Sequence, residues 1–131
     1  MDLGELEQHL MKLGWEPTAH GKNTLRVEHD SEEGPIVVYV RVSGEWLIAS
    51  VVPFLATRGA NSFELSRWLL RQNRDMYQAK FAYDEDGDVV LTVEVPTESL
   101  DHAEIASALE ELLAQTVQHR GTLRAAAEAA R

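Results

Sequence analysis

Apolar residues recur along this chain with two different periods. Leu3, Leu6, Leu10 and Leu13 fall on one stripe of a helix, opened by Asp2 with Glu5 three residues later and closed by Gly14. Trp15 to Gly21 reads as a turn or a weak strand, and Thr24 to His29 as a strand. After the turn cluster Asp30 to Pro35, alternation takes over at Ile36, Val38, Val40 and Val42. Ser43-Gly44-Glu45 allows a tight hairpin into Trp46 to Leu55. That strand is apolar on both faces, with Trp46, Ile48, Val52 and Phe54 on one and Leu47, Ala49, Val51 and Leu55 on the other. Such a strand lies centrally or has its outer face covered. Pro53 has no N–H for a ladder, so the strand is expected to end or bulge there.

The helical period returns from Phe63 to Met76, with Asn61 and Glu64 as a capping-box pair. Leu65, Trp68, Leu69, Gln72 and Met76 form the face that should meet a sheet. Ala79, Phe81 and Tyr83 then alternate up to Asp84-Glu85-Asp86-Gly87-Asp88, and Val89, Leu91, Val93 and Val95 alternate after it. Asp-Gly between two such runs marks a hairpin turn. Beyond Pro96, Ser99 or Asp101 can cap a helix carrying Ile105, Leu109, Leu112, Leu113 and Val117. The order is α-β-β-β-α-β-β-α. Tight turns make the strands antiparallel, so the expected fold is α+β, with three helices packed on a largely antiparallel sheet of about five strands. Residues 1–120 are expected to form a single domain and residues 121–131 an alanine-rich tail.

Charge adds a second pattern. The formal net charge is −10, and residues 84–88 and 28–33 concentrate acids. Residues 36–76 reverse the sign, with five arginines against three acids. Such a surface disfavours direct nucleic-acid or anionic-membrane binding and attracts basic proteins. The chain has no cysteine, which excludes disulfides and thiolate chemistry and suits a cytoplasmic location. Its start shows no signal-peptide pattern, and its longest apolar run, Trp46 to Ala56, is interrupted by Ser50 and Pro53. A soluble protein is expected.

Reactive chemistry is thinly represented. A calcium loop needs glycine sixth and glutamate twelfth; from Asp84 the glycine comes fourth and position twelve is Val95. The histidines at 9, 20, 29, 102 and 119 lack paired metal spacings and read as surface or boundary residues. No nucleophile elbow or phosphate loop is present, so no catalytic residue, metal ligand or cofactor is assigned. Trp46 and Trp68 are expected in the core and Trp15 at the seam between helix and sheet. Ser50 and Thr92 are the polar residues inside apolar runs that a ligand pocket could use. Phe63 and Leu70 lie away from the main face of their helix, flanked by Arg67, Arg71 and Arg74, which suggests a dimer or partner interface. The plain alternative is a solvated helix whose arginines pair with nearby acids. Asp84, Asp86 and Asp88 are the acids expected to draw a partner.

Trp68-Leu69-Leu70-Arg71-Gln72-Asn73 leading into Ala79-Lys80-Phe81-Ala82-Tyr83 and the acidic turn resembles the YbjN family of bacterial proteins. Leu13-Gly14-Trp15 with Thr24-Leu25-Arg26-Val27 resembles that family's start. The resemblance implies the fold of the dimeric class I chaperones of type III secretion, which bind extended segments of partner proteins without hydrolysing anything. It implies a homodimer with a protein-binding role and carries no catalytic residues across. The expected function is therefore a non-enzymatic, chaperone-like adaptor for a partner protein, with a basic, nucleic-acid-binding protein as the candidate partner. A small-ligand regulatory domain is the alternative, and an enzyme with a scattered site ranks third.

Overall fold

The Asp2 carboxylate accepts a hydrogen bond from the Glu5 backbone N–H at 2.8 Å and starts helix α1, Leu3–Lys12. Gly14, at φ +85°, takes the left-handed conformation that ends it. The computed structural model describes residues 1–129, with side chains through Ala125. Strands β1 (Thr18–His20), β2 (Thr24–Ser31), β3 (Gly34–Ser43) and β4 (Trp46–Leu55) follow, then α2 (Phe63–Asp75), β5 (Ala79–Tyr83), β6 (Val89–Pro96) and α3 (His102–Ala129). The strands form one antiparallel sheet in the order β1-β2-β3-β4-β6-β5.

The sheet has six strands rather than about five. The extra one, β1, is three residues long and exposed throughout, so it has no buried face to write a period of two into the sequence. β4 is central, as its two apolar faces required. Its register against β6 shifts between Val51 and Leu55, around Pro53. The irregularity changes the parity of the strand: Phe54 leaves the Trp46–Ile48–Val52 face assigned to it and joins Leu47, Ala49 and Val51 in the core.

Leu6, Leu10, Leu69, Ile105, Leu109 and Leu112 from the helices join one buried cluster with a single face of the sheet. Among the described residues no helix covers the opposite face. Trp46 lies there, 47 % exposed, and is not a core residue. It sits at the strand end opposite Ser43 and Pro96, which are too small to enclose an indole. Trp68 packs against Phe81 and His119, and Trp15 lies half-buried beside His29.

α3 starts where the Asp101 carboxylate accepts from the Glu104 N–H at 2.8 Å. It continues through Gly121, and Leu123 is buried, so anchoring extends past residue 120. Of the alanine-rich tail expected over 121–131, residues 130 and 131 lie outside the described residues. Helix α2 is capped by Ser62, which accepts from the Leu65 N–H at 3.0 Å, one residue later than the Asn61–Glu64 pair suggested. Asn61 is engaged elsewhere: its side-chain amide donates to the Gly87 carbonyl at 2.9 Å.

Candidate functional site

Helix α2 lies on the core through Leu69 and Met76, with Leu65, Trp68 and Gln72 partly buried. Phe63 and Leu70 point away, 76 % and 70 % exposed. Arg67, Arg71 and Arg74 are exposed beside them. Arg74 makes a 3.7 Å contact to Asp75, and two groups this exposed gain little from it. Among the described residues Arg67 and Arg71 form no ion pair. The structure thus leaves two large apolar side chains and two unengaged guanidinium groups on one outward surface, a composition enriched at protein interfaces.

The acidic turn is a different kind of feature. Asp84 accepts from the backbone N–H groups of Asp86 and Asp88 at 2.9 and 3.0 Å, and Asp88 accepts from the Arg58 N–H at 2.7 Å. Two of the three aspartates singled out in the sequence therefore shape the turn and dock it on the β4–α2 loop. The Gly87 carbonyl adds three bonds, from the Gly59 N–H, the Thr57 hydroxyl and the Asn61 amide. Glu85 and Asp86 remain exposed.

The two edges of the sheet differ. On β5 the Asn73 side chain imitates a neighbouring strand: its amide donates to the Phe81 carbonyl at 3.0 Å and its oxygen accepts from the Phe81 N–H at 2.7 Å. Lys80 bonds the carbonyls of Asn73 and Met76 at the end of α2. That edge is plugged in the way sheet edges are protected against unwanted pairing. At the other edge β1 pairs only with Thr24–Arg26, which leaves Val27–Ser31 of β2 beyond its ladder. A cleft of about 270 Å³ lies beside this open stretch, lined by Leu13, Gly14, Trp15, Glu16, Val27, Glu28 and His29. Exposed Asp30 and Glu32 add to its negative charge.

One histidine assignment needs correction. His119 is 6 % exposed, edge-on to Trp68 and Phe81, and its Nε2 lies 2.8 Å from the side-chain amide oxygen Oε1 of Gln115. An amide oxygen only accepts, so Nε2 carries the proton. Sequence spacing missed this residue because the aromatic rings that bury it come from α2 and β5. Burial pushes its pKa below the ordinary 6.5. The unfolded chain then takes up a proton before the folded one does. The stability contributed by the neutral ring is complete above about pH 6.5 and is lost as pH falls toward the lower folded value. Between about pH 7.5 and 5 the wild type should lose more Tm than His119→Phe; parallel Tm–pH curves would show that this ring does not resist charging.

His9 and His102 are half-buried boundary residues, and the fold brings them together from 93 positions apart, with Nδ1 atoms 3.0 Å apart. Ser50 and Thr92 bond each other through their hydroxyls at 2.8 Å on the uncovered sheet face, where Ser50 also borders an open cleft of about 430 Å³. A cleft of about 490 Å³ lies between α2 and α3 beside Leu55, Leu65, Trp68, Arg71 and Leu123. Among the described residues no group of three or more metal-ligating side chains occurs, and no helix is long and apolar enough to cross a membrane.

A family model, YbjN, described as a putative bacterial sensory transduction regulator, matches residues 2–125. No curated protein matches the sequence. Among solved structures, the YbjN protein of E. coli is 14 % identical at a TM-score of 0.71, over 95 % of this chain and 94 % of that one. A chain of the Yersinia pestis type III secretion chaperone SycH complex with a YscM2 fragment is 20 % identical at 0.61, over 88 % and 96 %. A chain of the Pseudomonas aeruginosa ExoU–SpcU heterodimer is 15 % identical at 0.62, over 86 % and 93 %. At these identities the likeness is one of fold.

Proposed function

The chain belongs to the YbjN family, and from that premise we propose that it is a cytoplasmic, non-enzymatic, chaperone-like adaptor that binds a segment of a partner protein as a homodimer. The observation that carries the reading is the asymmetry of the sheet edges. β5 is plugged by Asn73, whereas β2 presents an open stretch at Val27–Ser31 beside an acidic cleft. An extended segment can add to such an edge through backbone bonds, and its side chains then choose among the flanking groups. Glu16, Glu28, Asp30 and Glu32 favour a basic segment there, and exposed Glu85 and Asp86 extend the negative field. The α2 surface with Phe63, Arg67, Leu70, Arg71 and Arg74 serves as the dimer seam. Solved relatives of this fold include complexes of a secretion chaperone with a partner fragment, which supports a protein-binding role.

The test is capture of partners from the native organism, identification by mass spectrometry, and affinity measurement across salt. Affinity should fall as salt shortens the Debye length from about 10 Å at 0.1 M to about 3 Å at 1 M. It should also fall in Glu28→Gln/Asp30→Asn, and less in Glu85→Gln/Asp86→Asn. Asp84 and Asp88 are avoided because their carboxylates hold the turn. Indifference to both salt and charge would refute the acidic-edge mechanism.

A second reading rests on the 490 Å³ cleft, whose volume and apolar walls suit a small ligand and fit a sensory regulator. A small molecule that raised Tm in the wild type but not in Trp68→Ala would favour it.

A further inference from the structure

Residues paired across antiparallel strands share a face, so the uncovered face of the sheet is built in rows. One row runs His20, Thr24, Arg41, Ile48 and Glu94 across β1, β2, β3, β4 and β6. The next runs Arg26, Tyr39, Ser50, Thr92 and Lys80. Thr24 and Ser50 are small beside Arg41, Tyr39 and Ile48, and a cleft of about 430 Å³ opens over them. His20, Tyr39 and Arg41 line one side of it, Ile48 and Val52 the other. The small hydroxyls are already committed. Thr24 donates to the Asn23 side-chain oxygen at 3.3 Å. Thr92 gives its one proton to the Ala49 carbonyl at 3.2 Å, so Ser50 donates to Thr92. The larger groups are not. Among the described residues the half-buried Arg41 guanidinium forms no ion pair, and neither it, the Tyr39 hydroxyl nor the His20 ring is hydrogen-bonded. The short strand β1 carries His20 against Tyr39, with ring centroids 4.8 Å apart and planes at 60°.

We infer that this cleft binds a small monocarboxylate with an aromatic or branched apolar body, its carboxylate on Arg41 and Tyr39 and its body on Ile48 and Val52. Charge chooses the ligand class. Arg26 is matched by Glu28 at 3.6 Å, and Lys80 bonds the carbonyls of Asn73 and Met76. Among the described residues Arg41 is therefore the cation of the two rows left without a counter-group. A guanidinium fork fits a planar carboxylate through two parallel bonds, and the Tyr39 hydroxyl can add a third. Glu94 stands two strands from Arg41 in the same row, about 10 Å away, so one negative charge is favoured over two. A few unengaged polar groups beside an apolar wall are the makeup of small-molecule sites, whose volumes run from about 300 to 1,000 Å³. The site lies on the other face of the sheet from the α2–α3 cleft. It goes beyond the partner reading and does not depend on it.

The full-length chain would be titrated with phenylacetate and followed by calorimetry and by amide chemical shifts in nuclear magnetic resonance. One phenylacetate per chain is expected, with the largest shifts at Tyr39, Arg41 and Ile48. Phenylacetamide keeps the apolar body without the charge, and acetate keeps the charge without the body. Each should bind at least about tenfold more weakly, as should phenylacetate to Arg41→Gln. Tyr39→Phe should lose about threefold to tenfold. Lys12→Gln removes an equal charge from an exposed position on α1 and should leave affinity unchanged. Each variant is checked for native circular dichroism, and the shift map on the wild type stands even if one folds poorly. No saturable binding at millimolar phenylacetate, equal affinity for either control compound, shifts centred on α2 and α3, or full affinity in Arg41→Gln would overturn the site.

Discussion

In the proposed homodimer with α2 as its seam, Leu70→Asp should reduce a mass of twice 14.7 kDa to that of a monomer at micromolar concentration. Leu70 is 70 % exposed on the single chain, so the substitution removes little from the core and should leave the monomer's circular dichroism unchanged. In a two-fold interface the same patch meets itself, and one substitution is felt twice. Each copy would place an unpaired carboxylate in a seam that had held an apolar side chain, at a cost of about 3 kcal/mol or more. The dissociation constant should rise at least a hundredfold, since each 1.4 kcal/mol is about a factor of ten. Light scattering decides the matter. A monomeric wild type, or a variant that still runs as a dimer, would remove α2 as the seam.

The largest effect on folding is expected at Gly87. Its φ of +80° is one that side chains rarely adopt, and a Cβ there would lie 2.5 Å from the Gly59 nitrogen and 2.6 Å from its Cα. Both obstacles are backbone, so no side chain can swing aside. Gly87→Ala must push the hairpin off the β4–α2 loop and loosen the three bonds to the Gly87 carbonyl. Strain and lost bonds together should cost on the order of 3–4 kcal/mol, or roughly 10–15 °C in Tm for a chain of this size. Gly44→Ala is the control. Its φ is +60° with nothing within 4 Å, so it suffers only the conformational penalty, about 1–2 kcal/mol. Equal losses in the two variants would show that the close approach at Gly87 has no energetic weight.

Element type and order were legible wherever one face is buried. α1, β2, β3 and the β5–β6 hairpin each alternate between core and solvent with their own period, and the sequence shows it. β1 has no buried face and was readable only as a weak strand. The faces of β4 were readable up to Pro53 and inverted beyond it, because a ladder irregularity depends on the partner strand. The outward set on α2 was legible because helical spacing alone separates Leu70 from Leu69. Asn73, Gly87, His119 and the His9–His102 pair were not, since each acts through a residue on another element. Asn73 lies in the very segment that resembles the family, yet nothing in its spacing says that it pairs with Phe81. The acidic turn shows the converse: a charge cluster visible in the sequence is largely occupied with its own backbone.

The placement of β4 has a consequence for how the chain is made. Its neighbour on one side, β3, is the strand just before it, while its neighbour on the other, β6, lies between 34 and 50 residues further along in register. During synthesis a strand apolar on both faces therefore waits with one edge unpaired until α2 and β5 have emerged. Contacts this distant in sequence form late, because the intervening loop must close first. Pro53, which offers that waiting edge no N–H, interrupts the one stretch of this chain best suited to pair with a second nascent copy.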